Sequence, residues 1–194
     1  MVSQDQLVET INQAKESDKE RKFNQTMEMI MVFRDIDVKK GFAINEIIQL
    51  PKKMNRLASV CVMASGDLGL KAKKANADRV INEDELIKLG ANKRESRKFI
   101  NKYDFILADT KLMPTVGKVL GQLLGPRGKM PTPVPYNAPI ESFLERFRTS
   151  IKIKVKSSLA MSCKIGEENM DNGDLAANAN AVATTIEKKL PNGD

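Results

Sequence analysis

LASVCVMA, residues 57–64, carries no charged side chain. A strand with one wet face alternates apolar and polar residues. A strand without that alternation is covered on both faces, as in a parallel sheet between helix layers. DFILA at 104–108 reads as a second such strand, and residues 79–81 as a short one. Between them the sequence predicts helices from Ser65-Gly66-Asp67 to about Asn76, from an Asn82 cap with Glu85 three residues on to Leu89, and over residues 93–102. A further helix starts at Asp109 or Thr110. Strand and helix alternate, which is the pattern of a parallel sheet with flanking helices.

Outward from this centre the strands change character. In residues 23–37 (FNQTMEMIMVFRDID), Met27, Met29, Met31 and Phe33 fall on one face, with Glu28, Ile30, Val32 and Arg34 on the other. After a turn at 38–41, residues 43–50 (AINEIIQL) form another strand, ended by Pro51, with a basic link over 52–56. On the far side, IKIKVK at 151–156 alternates strictly, and 159–165 (LAMSCKI) is its hairpin partner. Helices are expected over 4–17, with Ser3 and Gln6 as a capping box, over 140–148, and over 175–190 on the stripe Leu175, Val182, Ile186 and Leu190. Residues 19–22 are a charged connector.

Half-exposed strands at both ends suit an antiparallel sheet. The expected fold class is therefore α/β, or α+β when the outer sheet is counted, in two domains. A discontinuous outer domain of residues 1–56 and 151–194 surrounds a Rossmann-like insertion at 57–150. The hinge lies near 51–57 and 149–152, across which two near-rigid bodies can move.

Residues 120–135 (LGQLLGPRGKMPTPVP) hold the most unusual composition. Pro126 stops the preceding helix, and Pro131, Pro133 and Pro135 enforce extended backbone. With Arg127 and Lys129 the loop is an anion cradle or a rigid elbow. A phosphate-binding P-loop needs G-x-x-x-x-G-K-[ST], but Leu123 and Met130 stand at the first glycine and the hydroxyl position. G-x-G-x-x-G is absent too, and Gly117, Gly121 and Gly125 recur every four residues, like close-packing positions on a helix.

The chain has 194 residues, a net charge of +7, and no histidine, which removes the commonest general base and metal ligand. A basic balance suggests a polyanionic partner, most often nucleic acid. Few aromatics and no tryptophan argue against a stacking platform. Cys61 and Cys163 read as buried free thiols. No apolar run reaches the roughly 20 residues of a membrane span, and the start lacks a signal-peptide pattern, so a cytoplasmic protein is expected.

On IKIKVK, Lys152, Lys154 and Lys156 point the same way about 7 Å apart, with Arg146, Arg148 and Lys164 read as neighbours. The plainer alternative is a solvated face whose lysines block edge aggregation. Phe23, beside Arg21 and Lys22, reads by itself as core. Thr26 and Glu28 bring a hydroxyl and a carboxylate together on one strand. Three readings follow: an RNA-binding protein, a nucleotide-dependent enzyme using the middle domain, or a general basic chaperone.

LGQLLGPRGKMPTPVP resembles the signature of the L-one family of large-subunit ribosomal proteins. RKFNQTMEM, DFILAD followed by LMPTVGKVLG, and SIKIKVKSSLAMSCKIGEENM are similar to further family blocks in the same order. The RKFNQT block looks archaeal. The resemblance implies a non-enzymatic protein without cofactor or metal, a monomer when free, bound to the stalk helices of large-subunit rRNA. It also implies help in releasing tRNA from the exit site, and binding to its own messenger to repress translation. RNA-facing positions carried over are Phe23, Thr26 and Glu28, with Lys164, Gly166 and Glu167 after the hairpin; Arg21 and Lys22 join them. On the second domain, Gly125, Pro126, Arg127, Gly128, Lys129, Met130 and Pro131 would face tRNA or rRNA as a stiff basic projection. A last strand ending in a Thr-Met-Gly-Pro motif that contacts RNA is implied beyond Leu190-Pro191-Asn192-Gly193-Asp194.

Overall fold

A computed structural model describes residues 3–17, 21–34, 43–135, 138–156 and 158–190. In chain order the elements are α1 (Gln4–Glu16), β1 (Thr26–Val32), β2 (Ala43–Gln49), β3 (Val60–Met63), α2 (Gly66–Lys74), β4 (Arg79–Ile81), α3 (Glu83–Ala91) and α4 (Lys93–Lys102). They continue with β5 (Phe105–Asp109), α5 (Met113–Leu124), β6 (Thr132–Val134), α6 (Ile140–Arg148), β7 (Ser150–Lys156), β8 (Ala160–Glu167) and α7 (Asn172–Glu187). The chain divides into two compact units, one taking the residues up to Leu57 and from Thr149 onward, the other Ala58–Arg148.

The second unit is the parallel sheet that LASVCVMA announces. Its strand order is β4-β3-β5-β6, all parallel. β3 and β5 are buried at every position because helices cover both faces. On one face, Cys61, Met63 and Ile106 meet Leu86 of α3, Ile100 of α4, and Val116, Leu120 and Leu124 of α5. Across the sheet, Phe105 packs edge-on to Phe147 of α6 with ring centroids 5.2 Å apart. Apolar contact on both faces is the reason this strand pattern lacks alternation.

α5 corrects two expectations. It begins at Met113 with Leu112 as its cap and Pro114 in its first turn, where a missing N–H costs nothing. Asp109 is still in β5, and its Oδ1 accepts from Lys111 N at 3.0 Å. Gly117 and Gly121 do not mark a close approach, since a Cβ on either would meet nothing within 4 Å. The close approach is at Gly90 of α3, where an added Cβ would overlap the side chain of Val119 on α5.

In the first unit, β1 pairs antiparallel with β8 and β2 with β7, as two separate two-stranded ladders. The expected hairpin is absent: among the described residues no ladder joins β7 to β8. Each instead takes a partner from the N-terminal segment, a choice that loop-closure entropy opposes only weakly because it grows slowly with length. α1 and α7 pack on each other, and their Ile11, Leu175, Ala179, Val182 and Ile186 share one core with Ile44, Ile48, Ile153, Val155 and Cys163. The capping box at Ser3 and Gln6 is formed. The turn at 38–41 and residues 19 and 20 of the 19–22 connector lie outside the described residues.

Candidate functional site

The first unit carries an open pocket of about 530 Å³ lined by Asn24, Thr26, Asn55, Arg56, Lys164 and Glu167. Three segments converge there: the entry to β1, the link after β2, and the end of β8.

A β-bulge makes the convergence possible. Thr26 faces Glu167 and Met27 faces Gly166, but Glu28 faces Lys164, so Ile165 is an extra residue on β8. Residues three apart on a regular strand lie on opposite faces. The bulge reverses that parity, burying both Ile165 and Gly166 and turning Lys164 and Glu167 to the same side. Lys164 Nζ then donates to Glu167 Oε1 at 3.4 Å.

Glu167 is the hub. Its residue is only 6% exposed. Oε1 also accepts from the Arg56 backbone N–H at 3.2 Å, and Oε2 from Asn24 Nδ2 at 3.0 Å. Burial works to raise its pKa, but donation from Arg56 N–H, the Asn55 amide and Lys164 outweighs it and holds the carboxyl below the ordinary range. The Asn24 and Asn55 amides meet again on Asn169 Oδ1, at 3.1 and 2.9 Å.

Asn178 of α7 fixes this arrangement from below, fully buried. Its Nδ2 donates to the Ile165 carbonyl in the bulge at 2.8 Å and to the Lys52 carbonyl at 3.1 Å, while its Oδ1 accepts from Lys52 N at 2.9 Å. One amide thus ties the bulged strand to the link that carries Asn55 and Arg56.

The site residues named from sequence divide accordingly. Thr26, Lys164 and Glu167 line the pocket. Glu28 lies exposed on the outer face of β1, opposite Lys164. Phe23 is 63% exposed, correcting its reading as core, and Arg21 and Lys22 beside it are exposed. Gly166 is buried, and a Cβ there would press on Leu175 Cδ2 and Met170 Sδ, so the glycine makes room for α7. Lys154 and Lys156 are exposed on the face of β7 opposite the core, while Lys152 is half-buried and lowered in pKa by that burial and by Lys154. These three belong to the β2–β7 ladder and Lys164 to the other. Arg148 lies in the second unit and pairs with Asp78 there at 3.8 Å.

The loop of the second unit is in part folded back. Residues 125–128 form a turn with Gly128 at φ +65°, a left-handed position that favours glycine, closed by Gly128 N to Gly125 O at 2.9 Å. Lys129 Nζ donates to the carbonyls of Ile100 and Tyr103 at 2.9 and 2.6 Å, so it caps α4. Pro131 is buried and 132–134 is the edge strand β6. Gly125, Pro126, Arg127 and Met130 are exposed.

Asn24, Asn55, Arg56 and Asn178 were missed by sequence reasoning. Asn178 alone left a signal: a polar residue three after Leu175, on the apolar stripe of a helix.

The model of the ribosomal protein L1p/L10e family matches residues 13–194. The chain belongs to that family. Similar proteins include the large ribosomal subunit protein uL1 of Cenarchaeum symbiosum (strain A), 65% identical over 193 residues, covering 100% of this chain and 89% of the relative. The large ribosomal subunit protein uL1 of Thermofilum pendens is 46% identical over 194 residues, covering 98% and 86%. That of Methanothermobacter thermautotrophicus is 39% identical over 191 residues, covering 98% and 90%. Membership is of the archaeal type, and the family is one of ribosomal structural proteins.

Proposed function

We propose that the chain is a structural, non-enzymatic constituent of the large ribosomal subunit, in the cytoplasm, and that the Glu167 pocket is where it grips rRNA. The carrying observation is that donors and a charged acceptor converge in one pocket. A site for bare phosphate would not set a carboxylate among its donors. Here the Asn24 and Asn55 amides, Arg56 and Lys164 stand around a carboxylate, beside the Thr26 hydroxyl. Such a set suits a ribose 2′-hydroxyl, which both donates and accepts, flanked by phosphate. Glu28 and Phe23 extend the surface along β1, and Lys152, Lys154 and Lys156 add phosphate contacts from β7.

We propose finer roles as well. The RNA is the stalk region of large-subunit rRNA, and a similar fold in the protein's own messenger is a second target through which translation is repressed. The two chain crossings, near 51–57 and 149–152, act as a hinge that lets the second unit follow tRNA leaving the exit site. The protein is a monomer when free.

Competition of a stalk rRNA fragment against an unrelated duplex at physiological salt tests the pocket. The full chain should prefer the fragment, and Arg56→Ala with Lys164→Ala should lose that preference by tenfold or more. A fragment deoxy-substituted at the bound riboses should also bind more weakly. Equal binding of fragment and duplex by the unmutated chain would refute the assignment.

A further inference from the structure

The positive charge is unevenly divided. Residues 58–148 hold sixteen of the 32 Lys and Arg but only ten of the 25 Asp and Glu. That unit therefore has a formal charge of +6, and the unit with the Glu167 pocket only +1.

Much of the excess sits on α4. Lys93, Arg94, Arg97, Lys98 and Lys102 stand against one acidic residue, Glu95. Ser96 and Ile100 turn inward, fully buried, so that Arg94, Arg97, Lys98 and Lys102 share the exposed side. Arg94 with Lys98, and Lys98 with Lys102, are like-charge neighbours four apart, which weakens a helix. Lys93 and Arg94 also occupy its first turn, the wrong end of the dipole for cations. None of the five forms an ion pair within the described residues. Lys102 lies over the Tyr103 ring, 5.7 Å from its centroid. Folding alone gives no reason for this arrangement.

The glycine-proline loop extends the same surface. By bonding the Ile100 and Tyr103 carbonyls, Lys129 fastens the 125–128 turn to the end of α4. Exposed Arg127 is near enough to act on Lys129, whose pKa is lowered first by burial and then by that neighbour, against the pull of Asp104.

We propose that the exposed side of α4, continued by Arg127, is a second RNA contact that takes the phosphate backbone without reading bases. It rests on the ribosomal reading only for the identity of the polyanion. It differs from the pocket in its chemistry: cations on a convex helix hold phosphates through charge, so binding is tolerant of sequence and steep in salt.

The test compares the full chain with two variants, R94Q/R97Q/K98Q/K102Q on the helix and R56A/K164A in the pocket. The probes are a stalk rRNA fragment and an unrelated 16-bp RNA duplex, in filter binding from 50 to 200 mM salt. The helix variant should bind the duplex at least tenfold more weakly, with a log–log salt slope shallower by about 0.7–0.9 per lost contact. Unchanged affinity and slope on both probes would overturn the proposal, whatever the pocket variant does. A pocket variant that binds the fragment normally would instead refute the pocket reading and leave this one standing. Polyglutamate that displaces the duplex as well as RNA of equal charge does would assign the surface to acidic proteins, also overturning it. The helix variant relieves like-charge contacts, so its circular dichroism and Tm should hold. If it nonetheless misfolds, R94Q/K98Q reads the same slope with about half the change.

Discussion

Glu167 sets a negative charge inside a candidate RNA site, and its neighbours explain why it stays ionised. Its carboxyl is held below the ordinary range, so the stability it contributes is fully present above that range. It is lost as pH falls through the depressed folded value. Thermal melts on the acid side should therefore fall more steeply for the unmutated chain than for Glu167→Gln. Parallel curves would contradict the hub role. Replacing Glu167 by Ala should cost about 1–3 kcal/mol, because the Arg56 N–H and the Asn24 amide lose their acceptor. Asn178 acts one layer deeper. Asn178→Leu keeps the branching at Cγ but strips partners from Ile165 and Lys52, for a loss on the order of 2–3 kcal/mol in urea unfolding. RNA affinity should fall too, although Asn178 does not line the pocket, because Asn55 and Arg56 would no longer be held against the bulge.

Helix packing separates glycines that look alike in sequence. Gly117 sits mid-helix in α5 with open space around it, and Gly90 sits under Val119. Gly117→Ala should stabilise by about 0.5–1 kcal/mol through helix propensity. Gly90→Ala should destabilise by about 1–3 kcal/mol through overpacking. Differential scanning calorimetry of the two variants should give Tm shifts of opposite sign, and equal shifts would mean the α3–α5 contact is looser than described. The same contrast between local pattern and packing accounts for the absent β7–β8 hairpin. Alternation correctly marks both as half-buried strands, but it does not choose the partner.

Strand pairing also determines which stretches can fold alone. Every strand and helix of residues 58–148 finds its partners within that stretch. By contrast, β1 and β2 depend on β8 and β7 from the other end of the chain. A fragment of residues 58–148 should therefore unfold cooperatively by circular dichroism. Residues 1–57 alone should lack a cooperative transition, with recovery only when residues 149–194 are supplied. A cooperative melt of 1–57 by itself would contradict the pairing.

Hydropathy period and caps are local properties, so the buried strands of the middle unit, the half-buried strands of the outer one, the capping box at Ser3 and the buried thiols could be read from residue order alone. So could the family, from its motif blocks. Tertiary structure decided what depends on residues distant in sequence meeting in space. It chose β8 as the partner of β1, and it placed a bulge that turns Lys164 and Glu167 to one side. It brought Asn24, Asn55 and Arg56 to that carboxylate, and it bent Lys129 back onto α4. Periodicity constrains which side of an element is buried, whereas a site depends on which elements touch. That choice is made by packing and by satisfying buried polar groups, neither of which is local in the chain.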